Sequence, residues 1–124
     1  MVQPMFQINR GDVVWVNLRS VCGSNVQSGN HPCVVVSCNK GNHSSKTFNI
    51  IPGTSKLEKN YFPTHIELNR DDFHGKLDKR TVFLGDQVHT VGIGQILWKV
   101  GHITDDSETM RKINEILVRQ LELG

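Results

Sequence analysis

Gly23-Ser24-Asn25-Val26-Gln27-Ser28-Gly29-Asn30-His31-Pro32 runs straight into Cys33-Val34-Val35-Val36-Ser37-Cys38-Asn39, and a second apolar run, Thr47-Phe48-Asn49-Ile50-Ile51, ends at Pro52-Gly53-Thr54. The first ten residues are polar and hold two glycines, so they read as a loop. Pro32 to Cys38 is apolar on both faces, the pattern of a central strand. Asn39 to Lys46, with Gly41-Asn42, reads as a polar turn. Thr47 to Ile51 is then the next strand, and Pro52-Gly53 is expected to stop it. A polar loop on a stiff β platform is a place to display chemistry.

Toward the N-terminus, residues 1–9 form a loose lead-in anchored by Phe6 and Ile8. Gly11-Asp12 then punctuates the start of Val13-Val14-Trp15-Val16-Asn17-Leu18, a strand rich in β-branched and aromatic residues. Residues 19–31 make a loop longer than about 12 residues, a length that is functional or disordered in compact domains. It is expected to be mobile without ligand.

Toward the C-terminus, Ser55 to Phe62 is an exposed loop carrying Lys56, Glu58 and Lys59. Pro63 to Leu68 alternates polar and apolar, as a half-buried strand does. Asn69 to Lys79 is charged and turn-like, with one helical turn around Asp71-Asp72-Phe73. Thr81 to Leu84 and Gln87 to Val91 read as strands either side of Gly85-Asp86. Gly92-Ile93-Gly94 breaks the pattern, and Ile96 to Ile103 is a short strand or helix. Thr104-Asp105-Asp106 offers N-cap oxygens, with Glu108 three residues after Asp105 as in a capping box. Met110, Ile113, Ile116, Leu117 and Leu121 then recur at helical spacing, a core-facing stripe. Short strands, frequent turns and one helix predict a mainly β fold, a small barrel with a C-terminal helix.

The chain has 124 residues, room for one domain over residues 1–124. A net charge of +2 is too small to argue nucleic-acid binding by itself. The three cysteines lack metal spacing. Cys33 and Cys38 are expected on opposite faces of a strand, so the thiols stay reduced and the protein stays in the cytoplasm. No apolar run approaches membrane-spanning length. Asn42-His43-Ser44 matches a glycosylation sequon without a secretory signal, and Arg10-Gly11-Asp12 is explained by a turn.

Several short pieces occur in a fixed order across residues 10–105. They are Arg10-Gly11-Asp12-Val13-Val14, Gly23-Ser24, Gln27-Ser28-Gly29, Pro32-Cys33-Val34-Val35-Val36 and Asn39-Lys40-Gly41-Asn42. The strand ending in Thr54, Pro63-Thr64-His65-Ile66-Glu67 and Val82-Phe83-Leu84 before Gln87-Val88-His89-Thr90 complete the set. The ordered set resembles the MazF/PemK family of toxin endoribonucleases. The resemblance implies an SH3-like barrel, a homodimer and cleavage of single-stranded RNA by 2′-hydroxyl attack, with no metal and no cofactor. It also implies a cognate antitoxin whose disordered tail crosses the RNA site.

The departures bear on mechanism. The family pattern has arginine before the proline that opens the second strand, where this chain has His31. It usually has arginine two residues after the glutamine matching Gln87, where this chain has His89. An acidic residue common near Gly23-Ser24 is replaced by Asn25 and Val26. Thr54 and Gln87 are kept. Imidazole titrates near neutrality and can move protons, each transfer worth about 10²- to 10⁴-fold. It lacks the always-charged fork of a guanidinium.

His31, Thr54 and His89 are therefore the expected catalytic set. Gln27, Ser28, Gly29, Asn30, Lys56 and Gln87 are the expected RNA contacts. Lys40, Lys46 and Lys59 are either further phosphate contacts or a solvated rim. The opposing reading is a barrel that binds antitoxin or nucleic acid without cutting. A gyrase-poisoning relative would need an aromatic tail, which Leu121-Glu122-Leu123-Gly124 lacks. His65 reads as structural, while His43, His74 and His102 read as solvated. Cys22 has no base beside it, and Trp15 and Trp98 read as core or interface packing rather than base-stacking plates.

Overall fold

The computed structural model describes residues 7–18, 29–56 and 62–123. The elements are β1 (Asp12–Leu18), β2 (Gly29–Val35), α1 (Asn39–Ser44), β3 (Thr47–Thr54), β4 (His65–Glu67) and β5 (Phe73–Gly75). They continue with β6 (Val82–Leu84), β7 (His89–Gly92), β8 (Ile96–Ile103) and α2 (Glu108–Gln120). Short 3-10 turns at Arg70–Asp72 and Ile93–Gln95 precede β5 and β8. The strands form one antiparallel, eight-stranded sheet in the order β4-β6-β3-β2-β1-β8-β5, with β7 also on β3. This is the expected mainly β fold with a C-terminal helix, although the hydrogen-bonded path does not close on itself.

Side-chain alternation along the central strands explains why they are apolar on both faces. Val14, Val16 and Leu18 join Cys33, Val35, Phe48 and Ile50 in one core. Val13, Val34 and Ile51, their neighbours in sequence, point the other way and pack with Phe83, Ile103, Met110 and Ile113. The second core lies under α2. Ile116 and Leu117 pack at its margin, while Leu121 turns away into solvent.

Several boundaries differ from expectation: β2 ends at Val35 rather than Cys38, and the segment expected to be turn-like holds β5. β3 does not stop at Ile51; it continues through Pro52-Gly53 to Thr54. It pairs with β7 from Thr47 to Ile50 and with β6 at Gly53 and Thr54. Pro52 falls between the two partners, where a missing N–H costs the ladder least. The loop after β1 ends earlier than expected because Gly29, Asn30 and His31 already belong to β2.

Asn39 to Ser44 is a single helical segment rather than an open turn, because Asn42 is buried and tied back. Its amide donates to Ser37 O at 2.8 Å, and its side-chain oxygen accepts from the Ser37 hydroxyl. The cap of α2 is Ser107, not Thr104 to Asp106: Ser107 Oγ accepts from Met110 N at 3.2 Å. Asp72 completes the first turn by accepting from Thr109 N and Oγ1 at 3.1 and 2.7 Å.

β1 and its sheet neighbour β8, far apart in sequence, are tied at Asp12, which is 1% exposed. Its carboxylate accepts from Asn9 N at 2.7 Å, Lys99 Nζ at 3.0 Å and His102 Nδ1 at 2.7 Å. His102 Nε2 lies 2.9 Å from Asp105 Oδ1, so this ring bridges two carboxylates and is not merely solvated. Arg10 donates to Val36 O at 2.9 Å and to Asn114 Oδ1 at 2.7 Å. The Arg10-Gly11-Asp12 tripeptide is thus a structural turn.

Candidate active site

A groove of about 860 Å³ opens where the start of β2, the end of β3 and the segment before β6 meet. Gly29 opens β2 at φ +85°, a left-handed backbone that glycine adopts without a Cβ penalty. Asn30 and His31 follow it into the groove wall. The β2–β3 register sets Cys33 opposite Pro52, and carrying it two residues further sets His31 opposite Thr54.

His31 Nδ1 lies 3.1 Å from Gly53 O. A carbonyl only accepts, so Nδ1 carries the proton, and in the neutral ring Nε2 keeps the basic lone pair. Thr54 is 6% exposed, and its hydroxyl oxygen accepts from Lys56 N at 3.2 Å. The side chains of Asn30, His31, Thr54 and Lys56 therefore share one groove.

Gln87 and His89 lie apart from it. Gln87 sits in the turn between β6 and β7, where its N–H donates to Leu84 O at 2.9 Å. His89 faces Ile50 across the β3–β7 ladder, and neither residue lines the groove. Ile50 is four residues before Thr54, about 13 Å along a strand. His89 Nε2 is buried with no hydrogen-bond partner among the described residues. Desolvation lowers its pKa below the ordinary 6.5, so the ring is neutral at pH 7. Gln27, Ser28, Cys22 and Lys59, and most of the loop expected to be mobile, lie outside the described residues.

Two groove lysines had not been singled out in the sequence. Lys76 and Lys79 come from the charged segment that reads as a solvated turn, and with Lys56 they set three ammonium groups against one carboxylate, Asp78. Trp15 and Trp98 line the same groove rather than the core. Their charge and aromatic character were legible; their convergence was not.

Neither described cysteine lines the groove. Burial pushes the Cys33 thiol far above its usual range, while Cys38 is exposed, and neither is bonded. His65 is half-buried with its ring edge-on to Phe62 at 5.4 Å, and His43 and His74 are exposed.

Residues 9–121 match the family described as PemK-like, MazF-like toxins of type II toxin-antitoxin systems. A relative named endoribonuclease MazF, from Staphylococcus saprophyticus, is 31% identical over 110 residues, covering 89% of this chain and 88% of its own. Among solved structures, MazF (Form-I) of Deinococcus radiodurans superposes with a TM-score of 0.76 at 19% identity, over 94% of this chain and 98% of that one. An endoribonuclease in complex with its cognate antitoxin, from a mycobacterial species, gives 0.70 at 23%, over 97% and 98%. The last two likenesses concern the fold; the match over residues 9–121 and the 31% relative carry the assignment. With its groove formed at the junction of β2 and β3, this chain belongs to the PemK-like, MazF-like toxins of type II toxin-antitoxin systems.

Proposed function

We propose that this chain is the toxin of a type II toxin–antitoxin pair and an endoribonuclease that cuts single-stranded RNA in the groove holding His31 and Thr54. The observation that carries the reading is the opposition of His31 and Thr54 in one lysine-lined groove. The similarity to a relative named endoribonuclease MazF supports it. His31 Nε2 takes the proton of a ribose 2′-hydroxyl, whose oxygen attacks the adjacent phosphorus. The bond from phosphorus to the 5′-oxygen breaks, leaving a 2′,3′-cyclic phosphate and a 5′-hydroxyl. Thr54 donates its hydroxyl to a non-bridging oxygen, and Lys56 neutralises the added charge, an electrostatic role that needs no motion during the reaction. His89, on β7 opposite Ile50, which is about 13 Å along β3 from Thr54, is too far to serve the same phosphate, so water protonates the leaving oxygen.

His31→Ala is expected to slow cleavage by about 10²-fold, the scale of one acid–base group. His31→Arg separates two roles: it keeps activity if the position stabilises phosphate charge and loses it if imidazole moves the proton. EDTA is expected to leave the rate unchanged. Full activity of His31→Ala would remove this residue from the mechanism. A second reading, binding without cutting, is favoured by the replacement of two family arginines by His31 and a distant His89; failure of the wild-type chain to cut any RNA would establish it.

The partner is a cognate antitoxin peptide, a reading supported by the similar fold of an endoribonuclease bound to its cognate antitoxin, and the compartment is the cytoplasm. The chain also forms a homodimer: Val118, Leu121 and Leu123 leave apolar surface exposed at the end of α2. A monomer mass by light scattering at micromolar concentration would contradict this.

A further inference from the structure

We propose that Trp15 and Trp98 form a nucleobase-stacking seat, holding a base next to the phosphate that His31 and Thr54 address. The inference rests on the endoribonuclease reading and adds a substrate contact to it. The two indoles are nearly parallel, 11° between planes, with centroids 5.9 Å apart, an offset stack. They meet because β1 and β8 pair Trp15 with Trp98, while β1 and β2 pair Trp15 with Pro32. A row of flat apolar groups thus crosses three neighbouring strands. The β1–β8 register shifts immediately after Trp15, and an irregularity of this kind re-aims side chains.

The row ends in the open. Trp98 is 53% exposed, and both rings line the groove that holds His31 and Thr54. With strands about 4.8 Å apart, Trp15 stands about 10 Å and Trp98 about 14 Å from β3. At that separation the plates serve a nucleotide neighbouring the scissile one. Lys56, Lys76 and Lys79 supply positive charge along the same groove. Flat apolar plates in a cationic groove fit a polyanion carrying flat bases, the combination that single-strand binders use. An acidic peptide would satisfy the lysines but would leave the stacked face without a matching plane.

The chain's only two tryptophans are this pair, so intrinsic fluorescence reports on the proposed seat alone. The full chain is titrated with a random-sequence single-stranded RNA pool bearing 2′-O-methyl groups, which blocks cleavage, and with an abasic strand of the same length. Quenching by the first strand and little by the second is expected. Trp98→Ala, which removes a largely exposed ring, is expected to weaken binding about tenfold, within the range measured for one stacked base. On a cleavable transcript, KM should rise by a similar factor while kcat stays within about twofold. Trp98→Phe should recover most of the affinity.

Equal quenching by the abasic strand, or a Trp98→Ala chain that binds and cuts like wild type, overturns the seat while leaving the endoribonuclease reading intact. A Trp98→Ala chain that changes only its mass in light scattering marks the pair as a contact between copies, and also overturns the seat. A wild-type chain that binds and cuts no RNA overturns both.

Discussion

Gly53→Ala probes the joint between the fold and the proposed chemistry. A Cβ built at Gly53 lies 2.8 Å from Thr81 Cγ2, 2.9 Å from Pro32 O and 3.2 Å from Phe83 Cδ1. Thr81 is buried and its hydroxyl donates to Lys79 O at 3.2 Å, so its methyl is not free to rotate away without breaking that bond. Pro32 O belongs to the backbone of β2 and yields only if the strand moves. Restoring ordinary contacts near 3.5 Å requires β2 and β3 to part by about 0.5 Å.

Overpacking of this kind costs about 1–3 kcal/mol, which lowers Tm by roughly 4–12 °C in a chain of this size. The same displacement carries the carbonyl that fixes His31 Nδ1, and sub-ångström to ångström misplacement slows a reaction by about 10- to 100-fold. The measurement is a far-UV circular dichroism melt together with the cleavage rate well below both melting points. A Gly53→Ala chain that melts within 1 °C of wild type (~1 °C being far below the overpacking cost) and cuts at the wild-type rate would refute the idea that tight β2–β3 packing positions His31. Gly29→Ala is the contrast, because nothing lies within 4 Å of its Cβ and only the φ of +85° is penalised. It should cost about 1 kcal/mol.

Asp12→Asn keeps the side chain's shape but offers an amide where Asn9 N, Lys99 and His102 all donate. A loss of about 2–3 kcal/mol is expected, visible as a urea midpoint lower by about 1 M; an unchanged midpoint would show that the cluster contributes nothing net. For His89 the folded pKa lies below the unfolded 6.5, so the folded state binds fewer protons. Its stabilising contribution is complete above pH 6.5 and is eroded as pH falls from there toward the folded value. His89→Phe should flatten the fall in urea midpoint between about pH 7 and 5, and an identical slope in both chains would assign the effect to other groups.

The strands were legible where β-branched residues alternate or run together, as in Val13 to Leu18 and Thr47 to Ile51. Pro52 misled because a proline stops a strand only when its neighbour needs the N–H, and β3 changes neighbours there. Asn42 looked like a turn residue because its burial depends on Ser37, five positions back. His31 and Thr54 were both chosen from sequence, yet their convergence follows from a register that only pairing defines. His89 was chosen on the same grounds and lies elsewhere for the same reason. The meeting of the two indoles was not legible. Aromatic residues default to packing, and nothing local in Val14-Trp15-Val16 or Leu97-Trp98-Lys99 says that the two rings meet, Trp15 half-buried and Trp98 exposed.

The tie between Asp12 and His102 spans 90 positions of chain, and β1 lies between β2 and β8 in the sheet. During synthesis, then, β1 waits with one edge unpaired until the last strand leaves the ribosome. One wall of the groove, at Trp98, does not exist before that moment. A nascent chain interrupted before β8 therefore lacks the completed groove.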